Sequence, residues 1–231
     1  MNVAIVVAGG KGTRFGGNRP KQFLELNAIP IIVHTLRQFE HSQQIGTVVA
    51  VLPLEEIAAF KSLRDKFELK KVTRVVAGGQ TRAQSVQKGL AAIEEADVVA
   101  VHDGVRPLVT PYEIDEVVIA AAANGAAVLV ARIGDTIKEI ENNKIARTVP
   151  RDKLRRALTP QCFRFDVLKR AYEGLAEIEA SGIEVTDDSF LVEQLGVSIV
   201  TVPGRARNIK ITNEEDLAVA EILLKSVVRG Q

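Results

Sequence analysis

Residues 1–21 read Met1-Asn2-Val3-Ala4-Ile5-Val6-Val7-Ala8-Gly9-Gly10-Lys11-Gly12-Thr13-Arg14-Phe15-Gly16-Gly17-Asn18-Arg19-Pro20-Lys21, and the fold of the chain is decided here. Val3 to Ala8 is an unbroken apolar run whose length and β-branched content suit a strand buried on both faces. It runs straight into Gly9-Gly10-Lys11-Gly12-Thr13-Arg14. Three glycines in four positions are not expected to be there for packing; they allow positive φ and leave no Cβ over the backbone, so that a nest of amides lies open to an anion. Arg14 and Lys21 add two cations just downstream, and Pro20 stiffens the approach to Lys21.

The common phosphate motifs do not fit. Phe15 stands where a dinucleotide fingerprint needs its third glycine, and no Gly-Lys-Ser/Thr run follows four spacers as a P-loop requires. The stretch resembles instead the nucleotidyltransferase signature G-G-x-G-T-R…P-K. In that superfamily the glycine loop wraps a nucleoside triphosphate, and the Arg and Lys neutralise its phosphates.

The 231 residues suggest one large domain or a domain with an insertion, and a 46% hydrophobic content is ample for a core. A net charge of +1 argues against general attraction to nucleic acid or to an anionic membrane, so any polyanion site must be local. The single Cys162 excludes an internal disulfide framework and fits a reducing, cytoplasmic setting. The first residues lack a basic n-region, and their apolar run is too short for a signal peptide. Val117 to Ile133 is the most apolar later stretch, but Asn124-Gly125 breaks it into helix, turn and strand rather than a membrane span.

Beyond Lys21 the pattern predicts helices over 31–40, 54–67, 81–95 and 111–124, alternating with strands over 47–52, 72–77, 98–102 and 127–131. Such alternation predicts an α/β fold: a mostly parallel, Rossmann-like twisted sheet with helices on both faces. Pro111 near the start of the fourth helix and Gly125 just past its end fit the usual asymmetry. The alternation stops at Thr136 to Val149, two short alternating runs around Asn142-Asn143 that predict a β-hairpin. The hairpin is polar and supplies no core of its own, so it is expected to pack on something else, most simply a second copy of the chain. Helices over 166–178 and 188–195, strands over 197–202 and 208–211, and a last helix capped by Thr212 or Asn213 complete the pattern. The chain thus reads as a single nucleotidyltransferase domain over 1–231, with a dimerisation arm at about 136–151.

Ligands of open parallel sheets sit beyond the carboxyl ends of the strands. Strand one delivers the glycine loop there. The third delivers Gly78-Gly79-Gln80-Thr81-Arg82, with Ser85 one turn on. The fourth delivers His102-Asp103-Gly104-Val105-Arg106, and the 208–211 strand delivers Lys210. Asp103, at a strand end beside phosphates, is read as a Mg²⁺ ligand, with a loop cap as the alternative. His102 is read as a packed core histidine rather than a base.

The motifs A-G-G-K-G-T-R, P-K-Q, G-G-x-x-R-x-x-S, H-D-G-V-R-P, Asp135-Thr136, L-T-P-Q at Leu158 to Gln161, T-D-D at Thr186 to Asp188 and N-I-K-I-T occur in the order of one family. The chain resembles the 2-C-methyl-D-erythritol 4-phosphate cytidylyltransferases over essentially its full length. The resemblance implies cytidylyl transfer from CTP to methylerythritol phosphate, with release of pyrophosphate, in non-mevalonate isoprenoid synthesis. It implies that Arg14, Lys21, Arg151 and Lys210 serve catalysis, with Mg²⁺ near Asp103. Ala8, Gly9, Gly10, Gly12, Gly79, Gln80, Ser85, Asp103 and Gly104 fall on the nucleotide side. Arg106, Thr136, Arg151, Thr159, Thr186 and Lys210 fall in the acceptor pocket, with Thr136 and Arg151 supplied by the partner of a homodimer. Two positions depart from the family pattern: Ala8-Gly9-Gly10 replaces A-A-G, and Gln80 replaces an acidic residue. The related ribitol 5-phosphate cytidylyltransferases commonly carry A-G-G-K-G-T-R, so the acceptor stays open between the two polyol phosphates, although Gly182 to Asn208 is closer to the methylerythritol enzymes.

Overall fold

A computed structural model describes residues 1–10 and 20–228. The chain runs β1 (Asn2–Val7), β2 (Glu25–Leu26), β3 (Ile29–Pro30), α1 (Ile31–His41), β4 (Ile45–Leu52), α2 (Ile57–Lys66), β5 (Val72–Ala77), α3 (Arg82–Ala91), β6 (Val98–Asp103), α4 (Pro111–Asn124) and β7 (Ala126–Arg132). It continues through β8 (Ile137–Glu141), β9 (Lys144–Val149), β10 (Arg155–Arg164), α5 (Phe165–Glu173), α6 (Leu175–Ala180), α7 (Asp188–Glu193), β11 (Val200–Pro203) and α8 (Glu214–Val228). The main sheet has seven strands in the order β11-β7-β10-β6-β1-β4-β5. β1 pairs in parallel with β4 and β6, and β4 with β5, so the expected α/β fold with a mainly parallel sheet is the one observed.

The apolar run of β1 is explained by its place near the middle of that sheet. Ala4 and Val6 pack with Leu36 and Phe39 of α1 on one face, while Val3, Ile5 and Val7 pack with Val86 and Leu90 of α3 on the other. Both faces are therefore dry from Val3 to Val7, and a polar residue placed there would be buried without a partner. Helix α4 carries a complete capping box between Thr110 and Glu113, with Pro111 in its first turn and Gly125 at φ 91° after its end.

The pattern mispredicted three elements. Arg155–Arg164 forms β10, an antiparallel strand inserted between β6 and β7, where no strand was expected. Pro160 hides it, because proline inside a run argues against a strand. It is tolerated because the β7 ladder breaks between Ala157 and Gln161, and pairing with β6 begins only at Gln161. The expected strand at 208–211 is a loop, held by turn bonds from Asn208 to Arg205 and from Ile209 to Arg207, and by Ile211 N–H donating to Val105 O at 2.9 Å. The expected helix over 166–178 is two helices, separated at Gly174.

β8 and β9 form the predicted hairpin, turning through Asn142 and Asn143 at φ 49° and 61°, and they pair with each other in a sheet of their own.

Gly9 is small for a packing reason, although the sequence assigns the glycines of the first loop to positive φ and an open backbone, and its close neighbour is Gly78. A Cβ on Gly78 would lie 3.1 Å from the Gly9 Cα, so the loops after β1 and β5 touch backbone to backbone. Gly78→Ala should therefore cost about 1–3 kcal/mol in urea unfolding, as overpacking does. Gly134→Ala, where a Cβ meets nothing within 4 Å, should stay within about 0.5 kcal/mol of the parent. Equal stability of the two variants would show that the loops part freely.

Candidate active site

The carboxyl ends of β1, β5 and β6 open into a cleft of about 980 Å³. Ala8, Gly9 and Gly10 form one wall, and Gly79, Gln80 and Ser85 another. Asp103 lies at the floor, with Lys21 and Lys210 also lining the cleft. Gly12 and Arg14, assigned to the triphosphate from the sequence, lie outside the described residues.

The glycine wall is held from behind by a residue that the sequence reading quoted but gave no role. Gln22, nearly fully buried, donates from Nε2 to Ala8 O at 2.6 Å and to Gly10 O at 3.1 Å. Its neighbour Lys21 begins the short 3₁₀ turn Lys21–Phe23, so one clamp places both the loop and the ammonium. Lys21 also sits close enough to the start of α8 to help keep the Asp216 carboxyl below its usual range. There, partial burial is opposed by hydrogen bonds from Thr212 and Asn213 and by the Lys21 charge.

The β5 wall is set by the start of α3. Thr81 caps the helix by accepting from Gln84 N at 3.1 Å, and Ser85 Oγ accepts from Gly79 N at 3.0 Å while donating to Thr81 O at 2.9 Å. Gln80 N donates to Gln84 Oε1, whose own amide and the Thr81 hydroxyl donate to Glu179 of α6. The Gln80 side chain is left exposed at the mouth.

Asp103 is the electrostatic centre. Its Oδ1 accepts from Arg82 Nε at 2.9 Å, and its Oδ2 is 3.1 Å from Lys210 Nζ and 3.3 Å from Arg106 Nε. Burial would raise the carboxyl's pKa, yet Arg82, Lys210 and Arg106 together hold it well below the usual carboxylate range. Arg106 in turn donates to Asn208 O at 2.9 Å, which fixes the loop that carries Lys210. Gly104 N–H donates to Val7 O, locking the end of β6 to β1.

Among the described residues no group of three or more His, Cys, Asp or Glu side chains could hold a metal. Mg²⁺ binds through one or two carboxylates plus phosphate oxygens and water, and the carboxylate on the cleft floor is Asp103, whose oxygens are paired with Arg82, Arg106 and Lys210.

His102 is a core residue, as read from the sequence. It is buried, packs edge-on to Phe39 at 5.0 Å, and has both ring nitrogens bonded, Nδ1 to Thr159 Oγ1 at 3.0 Å and Nε2 to Arg106 O at 3.2 Å. Thr159 is also buried, and its hydroxyl accepts from Asp103 N, so it supports the floor from below. Thr186 is exposed, just before the Asp187 cap of α7. Thr136 and Arg151 are exposed at the base of the hairpin, where Arg151 donates to Gly134 O, and neither lines the cleft of its own chain.

A mainly parallel sheet with a glycine loop, two lysines and a buried carboxylate gathered at its carboxyl edge has the architecture of a nucleotidyltransferase. The family model of IspD, 2-C-methyl-D-erythritol 4-phosphate cytidylyltransferase, matches residues 2–226. The enzyme of that name from Bacillus licheniformis is 37% identical over 100% of this chain and 99% of its own length, and that from Geobacillus kaustophilus is 39% identical over 96% of each. The crystal structure of 4-diphosphocytidyl-2C-methyl-D-erythritol synthase from Anaerococcus prevotii superposes with a TM-score of 0.85 at 28% identity, covering 97% of this chain and 96% of that one. The cytidylyltransferase from Thermus thermophilus gives 0.76 at 32% identity, over 96% and 98%. The chain belongs to the 2-C-methyl-D-erythritol 4-phosphate cytidylyltransferase family.

Burial pushes the pKa of His102 from 6.5 down to about 3, and desolvation also lowers that of His34. Below the ordinary value the unfolded chain takes up protons that the native protein refuses, so stability present above pH 6.5 is lost on acidification. Guanidinium unfolding should show a decline approaching about 1.4 kcal/mol per pH unit below pH 6 for His102, made steeper by His34. A flat profile from about pH 7 to 5 would mean that His102 titrates normally in the fold.

Proposed function

We propose that the protein transfers a cytidylyl group from CTP to 2-C-methyl-D-erythritol 4-phosphate, giving 4-diphosphocytidyl-2-C-methyl-D-erythritol and pyrophosphate, in the cytoplasm. The observation that carries this reading is Lys21, Lys210 and Asp103 meeting the glycine wall in one cleft of a chain that matches the family end to end. The relatives named above act on the methylerythritol compound, which disfavours ribitol 5-phosphate as acceptor.

The reaction needs no covalent enzyme group. An acceptor phosphate oxygen attacks the α-phosphorus of CTP in line; the new P–O bond forms as the bond to pyrophosphate breaks, and pyrophosphate leaves. The protein's part is positioning and charge neutralisation. Lys21 and Arg14 take the charge on the triphosphate, and Lys210 orients the attacking phosphate beside Arg106. Mg²⁺ held at Asp103 would supply further charge to the phosphate oxygens. Gly79, Gln80 and Ser85 face the cytosine.

Arg151 and Thr136 then complete the acceptor pocket of a second subunit in a homodimer. Ile140 and Ile145 support this assembly: they pair across the two hairpin strands, yet are 55% and 64% exposed in the single chain. An apolar cross-strand pair on a two-stranded sheet needs a further surface to cover it.

Lys21→Ala should lower turnover about 10²–10³-fold with Mg²⁺, CTP and the methylerythritol phosphate, as loss of a preorganised charged donor does. Arg151→Ala should be similarly inactive, yet the two variants mixed and re-annealed should recover roughly a quarter of parent activity, since random mixing makes half the dimers mixed and each mixed dimer has one intact site. No recovery in a mixture shown by mass spectrometry to contain heterodimers would mean that Arg151 does not act across the interface.

A further inference from the structure

We propose that Arg82 is a positioning residue that locks the acceptor-side segment 186–188 and the phosphate-side Asp103 into one register. The inference rests on the cytidylyl-transfer reading above and concerns how its two halves are aligned. Arg82 is the first residue of α3 and lines the cleft. Its guanidinium spans two carboxylates on different elements, Nε to Asp103 Oδ1 at 2.9 Å and Nη2 to Asp188 Oδ2 at 2.8 Å. Asp103 ends β6 and Asp188 opens α7.

The Asp188 end is rigid. Its side chain is fully buried, and Oδ1 accepts from the Tyr172 hydroxyl at 2.5 Å. The backbone amides of Asp188 and Ser189 both donate to Gln161 Oε1 at 2.9 Å, and Gln161 Nε2 donates to Asp187 Oδ2 at 2.8 Å. Thr186 is the exposed residue just before this pinned segment, so its place follows from where Asp187 and Asp188 are held.

The Asp103 end is directional. Arg82 engages Oδ1 alone, which turns Oδ2 toward Arg106 and Lys210. Without that contact the carboxylate is held through Oδ2 alone, by Arg106 and Lys210, and can turn about that end, so the Lys210 ammonium loses its fixed direction. A lysine cannot replace the arginine, because one ammonium on a flexible stem does not bridge two carboxylates in a set geometry as a planar fork does.

A simpler role is also open to Arg82, that of neutralising the buried Asp188, whose charge would otherwise be uncompensated. The two roles separate in the double variant Arg82→Gln with Asp188→Asn, which removes the buried pair together. Thermal unfolding should then stay close to the parent, while kcat falls about 10–10²-fold, the scale of a small misplacement. The KM for the acceptor should rise about tenfold, with that for CTP nearly unchanged. Arg82→Lys keeps the charge and should show the same kinetic pattern even if the double variant does not fold. Parent-like kcat and acceptor KM in Arg82→Lys, or in a stable double variant, would overturn the inference and leave Arg82 as a charge balance. A parent protein that fails to turn over CTP with the methylerythritol phosphate would remove the cytidylyl-transfer reading and this inference with it.

Discussion

The Asp103 carboxylate, 8% exposed and surrounded by Arg82, Arg106 and Lys210, is the contact on which the site depends. A buried charge survives only if it is paired and hydrogen-bonded, and removing its partners strands it. Here the partners come from three places in the chain: the start of α3, the turn after β6 and the loop before α8. The carboxylate therefore draws three separate segments to one point. Under it, His102 and Thr159 form a neutral, fully bonded layer, with Thr159 accepting from the Asp103 amide. The layer fixes the backbone of Asp103, while the cations fix its side chain.

The same cluster explains why the cleft suits a triphosphate. Asp103 takes up part of the surrounding positive charge, yet Lys210 remains 39% exposed and Lys21 faces the same space. In the proposed reaction a substrate phosphate meets ammonium groups already held in place, which is the preorganisation that charged transition states require. The touching backbones of Gly9 and Gly78 narrow the cleft on the other side, and buried Gln22 ties the glycine wall to Lys21. Walls and charges are thus mechanically connected.

Much of this was legible from residue order. Val3 to Ala8 announced a strand buried on both faces, and the strand ends pointed to Lys210, Asp103, Gly79 and Ser85 as neighbours, which the fold brings together. What escaped was whatever depends on distant partners. Pro160 masked β10, because only the β6 and β7 registers reveal that no ladder bond is needed there. The stretch 208–211 suggested a strand, although turn bonds to Arg205 and Arg207 and contacts to Val105, Arg106 and Thr159 decide the path of that loop. The contact between Gly9 and Gly78 leaves no local signal, because it is a close approach between two loops far apart in sequence. Arg82 and Gln22 were visible as motif letters, but their roles lie in side-chain contacts to residues far along the sequence.

The site depends on the charge state and confinement of the Asp103 side chain. Carbon-13 NMR of aspartate-labelled protein, with the Asp103→Asn variant to assign the signal, reads that state directly. The Asp103 carboxyl should show no inflection near the ordinary value of 3.8, remaining ionised below it. A signal that titrates at 3.8 or above in the folded protein would contradict the three-cation cluster and the site built around it.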